Sequence, residues 1–204
     1  TPNHKISNNN IMIYPIYTIG GTPGSGKSTL AKKLAIQLGY EHVYAGGILR
    51  KWSQDRFHNP NQIPFNEWYA SLSQDPSFDH KVDSMVRSIA KEKNNLILEG
   101  RVAFHFIPPL KSLITNKLYI TCDLKIAAKR ILEQKTSGER SEETTPQTIQ
   151  EQYYALLMRT IEEQTRYQHL YSIDIANRAH YNQIIDTTNL TPEQTIEIVL
   201  NKKL

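Results

Sequence analysis

Lys27, Ser28, Glu99 and the arginines Arg50, Arg101, Arg130, Arg159 and Arg166 are the side chains whose types and spacing point to chemistry on phosphate. Lys27 and Ser28 belong to the stretch GGTPGSGKST at residues 20–29, where the pattern G-x-x-x-x-G-K-[ST] falls on Gly21, Gly26, Lys27 and Ser28. Glycines let such a loop turn its backbone N–H groups inward, with dihedrals that a side chain would block. A helix that starts at the loop adds unpaired N–H groups and the positive end of its dipole. Lys27 then reaches the β- and γ-phosphates of a nucleotide, and the Ser28 hydroxyl holds Mg²⁺. The plain alternative is a Gly-rich turn with an exposed lysine. The strand-like IYTI before the loop and the helical LAKKLAIQLG after it favour the phosphate.

The remaining groups fall at strand ends or on one helix. YAGGILR places Arg50 one turn into the helix after a second strand, and LILEGR places Glu99, Gly100 and Arg101 directly after a third. Arginine can grip two oxygens of one phosphate with its planar fork. A carboxylate at Glu99, beside the loop, can order the waters of Mg²⁺. A single arginine would be read as a surface ion pair, but two at the carboxyl ends of strands favour ligand binding. Further on, Arg159, Glu163 and Arg166 stand at i, i+4 and i+7, within about 60° of one another on a helix. They border the arc of Ile149, Leu156, Tyr167 and Leu170, where unpaired ions are costly. On spacing alone an ordinary Arg–Glu helix pair is an equal reading.

These groups need a scaffold, and strand-like and helix-like segments alternate to supply it. The expected strands lie in PIYTIG, HVYA, NLILEG, KLYITC and NQIIDT. Helices are expected over Lys27 to Leu38, near Ile48 to Asp55, from about Phe65 to Lys93 with a break at Pro76, and through LKIAAKRILEQK. A long helix is expected from Pro146, with Thr145 as its cap, to Tyr171, and a last one from Pro192 with Thr191 as its cap. Such alternation implies an α/β fold, a five-stranded parallel sheet with helices on both faces. Two segments stand outside that frame: the helical block of about 46–94, long for a crossover, and the polar stretch of about 133–146. The latter cannot bury itself, and with Arg130, Lys135 and Arg140 it suits a short lid over phosphates.

At 204 residues the chain suits one domain, residues 13–204, preceded by a tail at 1–12 that reads as flexible. With 39% hydrophobic and 22% charged residues it has a globular composition. A net charge of +4 and no long basic run argue against nucleic-acid binding. Cys122, the single cysteine, excludes an internal disulfide and fits a reducing compartment. The longest apolar runs are too short to span a bilayer. A cytoplasmic monomer without nucleic-acid or membrane partners is expected.

Taken in order, TIGGTPGSGKSTLAKKLA, YEHVYAGGILRKW, LILEGR, YITCDLKIAAKRI, TIEEQTRYQHLYSIDI and IIDTTNLTPEQTIEIVL resemble the nucleoside monophosphate kinases. The match is closest to the short cytidylate kinases typical of archaea and some bacteria, and covers about Ile16 to Leu200. The resemblance implies a P-loop kinase fold with a monophosphate-binding segment and a lid. It also implies Mg²⁺-dependent transfer of the ATP γ-phosphoryl group to CMP or dCMP, in pyrimidine nucleotide metabolism. ATP would then be held by Gly21, Gly24, Ser25, Gly26, Lys27, Ser28, Thr29 and Asp186, and the metal by Ser28 and Glu99. Arg50, Arg101, Arg159, Glu163 and Arg166 would hold the acceptor, with the acid on its ribose. Lys27, Arg101, Arg130 and Arg159 would act on the transferred group. The chain departs from the family at Gly47, where an acid is usual, and in the bulky VAFHFIPP after LILEGR. Tyr119 in NKLY stands where a guanine-specific motif needs Asp. A small-metabolite kinase of the shikimate or gluconate type and a non-catalytic nucleotide sensor are the rival readings.

Overall fold

The structure is a computed structural model and describes residues 16–48, 77–137 and 147–201. Five strands form the sheet: β1 (Tyr17–Gly21), β2 (Glu41–Tyr44), β3 (Leu96–Glu99), β4 (Asn116–Thr121) and β5 (Gln183–Asp186). Their order is β2-β3-β1-β4-β5, and every neighbouring pair is parallel. The helices that connect them are α1 (Lys27–Leu38), α2 (Ser77–Glu92), α3 (Pro109–Ser112), α4 (Leu124–Thr136), α5 (Ile149–Tyr171) and α6 (Pro192–Asn201). A 3₁₀ turn, Ala103–Phe106, follows β3, and another, Arg178–His180, precedes β5.

Parallel strands covered on both faces read as continuous apolar runs, and β3, LILE, is buried throughout. Its side chains alternate between two cores. Leu96 and Leu98 pack with Val82, Val86 and Ala90 of α2 and Tyr167 of α5, whereas Ile97 packs with Leu30 and Leu34 of α1 and Ile196 and Val199 of α6. A third cluster joins Ala127, Ala128 and Ile131 of α4 to Leu156 of α5. Helices therefore cover both faces of the sheet, and β1, in its middle, has all five residues buried.

The start of α5 differs from the sequence expectation. It begins at Ile149, not Pro146, and Thr148 is its cap: the Thr148 hydroxyl accepts from the Glu151 N–H at 3.2 Å, and Glu151 Oε2 accepts from the Thr148 N–H at 3.1 Å. Thr145-Pro146 imitates a cap followed by a first-turn proline. Thr148-x-x-Glu151 satisfies two orphan donors reciprocally and wins. Ile149 is consequently half exposed, outside the buried arc that its spacing suggested. After β2 the chain is helical over 45–48, earlier than Ile48; α2 starts directly after Pro76. The remainder of the 46–94 block and most of the lid, 138–146, lie outside the described residues.

Candidate active site

The loop between β1 and α1 is pinned at both ends. Gly21 has φ 130°, and a Cβ there would lie 1.9 Å from the Ile120 carbonyl oxygen of β4, so only glycine lets the two strands approach. The Thr22 N–H donates to that same oxygen at 3.0 Å. Ser25 Oγ donates to the Thr22 carbonyl at 2.8 Å, and the Lys27 ammonium donates to it as well. From the far side, Thr187 Oγ1 donates to the Ser25 carbonyl at 2.9 Å. Gly26 precedes α1 with φ 86° and has no side chain to cap it. The first N–H groups of the helix therefore remain for a ligand. Burial and the nearby Arg101 guanidinium push the Lys27 ammonium well below the ordinary lysine range, against the pull of Glu99 and Glu163. A polyphosphate entering here would relieve that repulsion.

Ser28 and Glu99 meet at the end of β3: the Ser28 hydroxyl donates to Glu99 Oε1 at 2.5 Å. The other oxygen of Glu99 lies 3.0 Å from His42 Nε2 on β2, and the carboxylate is buried. A hydroxyl beside a fixed carboxylate is an all-oxygen donor set of the kind that suits Mg²⁺ and its waters. Among the described residues no group of three His, Cys, Asp or Glu side chains could enclose a metal directly.

Opposite lies an ion cluster centred on Glu163 of α5. Its Oε2 is 2.6 Å from Arg101 Nε, and its Oε1 accepts from Arg159 Nε at 2.9 Å. Burial works to raise the Glu163 pKa, but the two guanidinium groups overcome it and hold the carboxyl at about 2. A carboxylate that serves two arginines aligns their forks.

Lys27, Ser28, Glu99, Arg101, Arg130, Arg159 and Glu163 all line one cleft of about 550 Å³, together with Gly24, Ser25, Gly26 and Thr29. Spacing thus brought most of the candidate residues to one place. Gly21, Arg166 and Asp186 are not among its lining residues. Arg166 pairs with Asp79 of α2, its Nε donating to Oδ2 at 2.9 Å and its Nη2 to Oδ1. It ties α2 to α5 instead of lining the cleft. Asp186 is exposed and accepts from the N–H and hydroxyl of its own Thr188; Thr187 and Leu190 line the cleft in its place. Arg50 lies outside the described residues. Arg130, expected at the transferred phosphoryl, lines the cleft, while its guanidinium donates to the Thr187 carbonyl at 2.8 Å and to Thr187 Oγ1 at 3.1 Å.

Sequence reasoning passed over Asp79 and Asp83, two buried acids of α2 on the cleft wall. The signal was present: they stand at i and i+4, interleaved with Val82 and Val86 on the apolar face. Charges on a buried stripe ask for a reason. His42 was missed because a lone histidine in a short strand carries no pattern.

A family model described as "AAA domain" matches residues 20–150. The cytidylate kinase of Halobacterium salinarum is 30% identical over 91% of this chain and 88% of its own length. That of Methanopyrus kandleri is 31% identical over 90% of each chain. Among solved structures, shikimate kinase from Bacteroides thetaiotaomicron superposes with a TM-score of 0.52 at 14% identity, covering 92% of this chain and 99% of that one. At that identity the likeness is one of fold. No described helix is long and apolar enough to cross a membrane.

Proposed function

Since the chain belongs to the nucleoside monophosphate kinase family, we propose that it transfers the γ-phosphoryl group of ATP to CMP or dCMP, with Mg²⁺ as its metal. One observation carries the reading: the Arg101–Glu163–Arg159 cluster and the Ser28–Glu99 pair line the same cleft as Lys27. An anion at each end, donor polyphosphate on the loop and acceptor phosphate on the arginines, would bring the two reacting oxygens together.

Phosphoryl transfer asks the protein for alignment and charge neutralisation more than for covalent chemistry. The loop N–H groups and Lys27 hold the donor phosphates, and Thr187 and Leu190 border the nucleoside end of the donor. Arg101 and Arg159, fixed by Glu163, take the acceptor phosphate and face the charge that develops during transfer. The acceptor is already an anionic oxygen, so no strong base is needed. Mg²⁺, when bound by Ser28 and by waters that Glu99 orders, neutralises donor oxygens. Arg50 would add a further grip on the acceptor, and the segment around 133–146 would exclude water.

ATP consumption measured across CMP, dCMP, UMP, AMP, dTMP and shikimate tests the reading. Turnover with CMP or dCMP above the others is expected. Turnover confined to shikimate would transfer the chain to the small-metabolite kinases, and none with any acceptor would favour a nucleotide sensor.

A further inference from the structure

We propose that Asp83 is the residue that reads the base of the acceptor, its Oδ1 accepting a hydrogen bond from an amino group at position 4 of a pyrimidine. The proposal rests on the nucleoside monophosphate kinase reading above and deepens it. Carboxylates repel phosphate, so the part of the cleft walled by Asp79 and Asp83 suits the uncharged part of the acceptor. Glu163, Tyr167 and Tyr171 follow one another at one-turn intervals along α5, which puts Tyr171 about 12 Å beyond Glu163 along the axis. Tyr167 lines the cleft between them, and the Tyr171 O–H reaches across to donate to Asp83 Oδ2. The walk from the phosphate-binding arginines to Asp83 thus has the length of a nucleotide from its phosphate to the far edge of its base.

The two acids are not equivalent. Asp79 has both oxygens taken by Arg166. Asp83 spends one oxygen on Tyr171, and among the described residues no donor is bound to Oδ1, although the residue is 8% exposed and lines the cleft. Val82, between them on the same wall, supplies an apolar flank. Burial and the like charge of Asp79 raise the Asp83 pKa to about 7 despite Arg87 and Arg166, so this carboxylate is short of donors. An exocyclic amine supplies one. To the ionised carboxylate a 4-keto group presents an oxygen to an oxygen, gains no bond and meets repulsion.

The test uses binding and turnover together, on the whole chain. Wild type is titrated calorimetrically with CMP, UMP and the pyrimidin-2-one nucleoside monophosphate, which lacks any substituent at position 4. CMP is expected to bind about 10- to 100-fold more tightly than either, the range for one hydrogen bond to a charged group. In Asp83→Asn the Tyr171 O–H keeps the amide oxygen, and the NH₂ turns to the cleft as a donor. CMP should then weaken by a similar factor, UMP should weaken less or tighten, and kcat/KM for the two should shift in the same sense. The analogue comparison needs no mutant, so a variant that fails to fold leaves the proposal decidable. Equal affinity of wild type for CMP and the amine-free analogue overturns the proposal while leaving the kinase reading intact. An equal loss for CMP and UMP in Asp83→Asn overturns it too. A wild type that neither binds nor phosphorylates any nucleoside monophosphate overturns both readings.

Discussion

Glu163→Gln is the perturbation that tests the ion cluster most directly. The carboxylate is 3% exposed, with Arg101 at 2.6 Å on one oxygen and Arg159 at 2.9 Å on the other. Glutamine keeps the shape but can accept from only one of the two guanidinium groups, and its NH₂ confronts the other. The fall of the carboxyl from 4.5 to about 2 corresponds to roughly 3 kcal/mol in favour of the ionised form within the fold. That sets the scale of the loss, in line with the cost of breaking one partner of a buried ion pair. Urea unfolding at pH 7 should show Glu163→Gln less stable by about 3 kcal/mol, with little change in the slope. The folded pKa is depressed, so the contribution is complete above about pH 4.5 and fades as pH falls towards 2. The gap between the proteins should therefore narrow in acid. In turnover, acceptor kcat/KM should drop with little change in ATP affinity, because the arginines lose their alignment while the loop is untouched. Equal stability at pH 7, a gap that stays constant into acid, or normal CMP turnover would refute the account of Glu163 as the hub of two arginines.

Lys27→Ala should remove roughly 3 kcal/mol or more of transition-state stabilisation while leaving the thermal unfolding profile close to wild type; kcat and a melting curve check both halves. Thr148→Ala should cost about 1 kcal/mol of stability with no effect on substrate affinity, the usual value of a helix cap, and denaturant unfolding reads it. Preference for CMP over UMP should grow as pH rises through about 7, since the ionised Asp83 can only accept, whereas its protonated form can also donate to a 4-keto group; competition assays at pH 6 and pH 8 read it. Asp79 and Arg87 on α2 and Arg166 on α5 act on that carboxyl, Tyr171 donates to it, and His80 and His105 pack against the Tyr171 ring, so Asp83→Asn is the control that must flatten the trend.

Legibility differed by the length of sequence that encodes each feature. The loop at residues 20–29 was readable because one short stretch holds its main constraints: positive φ at Gly21, Gly24 and Gly26, and a helix start at Lys27. Glu99 and Arg101 were readable because the end of a buried strand fixes their place in a parallel sheet. Arg166 was misplaced for the opposite reason. Its angle on α5 puts it beside Arg159 and Glu163, but its partner is Asp79, 87 residues away in sequence, and helical spacing says nothing about what another helix offers. Asp186 and the threonines after it divide between solvent and cleft. Strand alternation turns Asp186 outward to Thr188 and turns Thr187 in, where its hydroxyl touches the Ser25 carbonyl. The start of α5 shows two local signals in competition, decided by which of them satisfies more backbone donors.

The buried carboxylates in and beside the cleft share one logic. Arg101 and Arg159 rest on Glu163, Arg166 on Asp79, and the Ser28 hydroxyl on Glu99. Arginines left without a counter-ion at this depth would repel one another and spread apart. With a carboxylate between them they stay within reach of an incoming phosphate and are already aimed. Among the described residues no carboxylate is bound directly to Lys27: its ammonium donates to the neutral Thr22 carbonyl, and burial depresses its pKa against the pull of Glu99 and Glu163. On the proposed reading the acceptor half would therefore be preorganised by fixed charge, whereas the donor half would gain its charge balance when the polyphosphate arrives. That asymmetry predicts unequal salt responses. Added salt should weaken the donor through Lys27 more than it disturbs the buried Arg101–Glu163 pair, which lies below a Debye length and away from solvent.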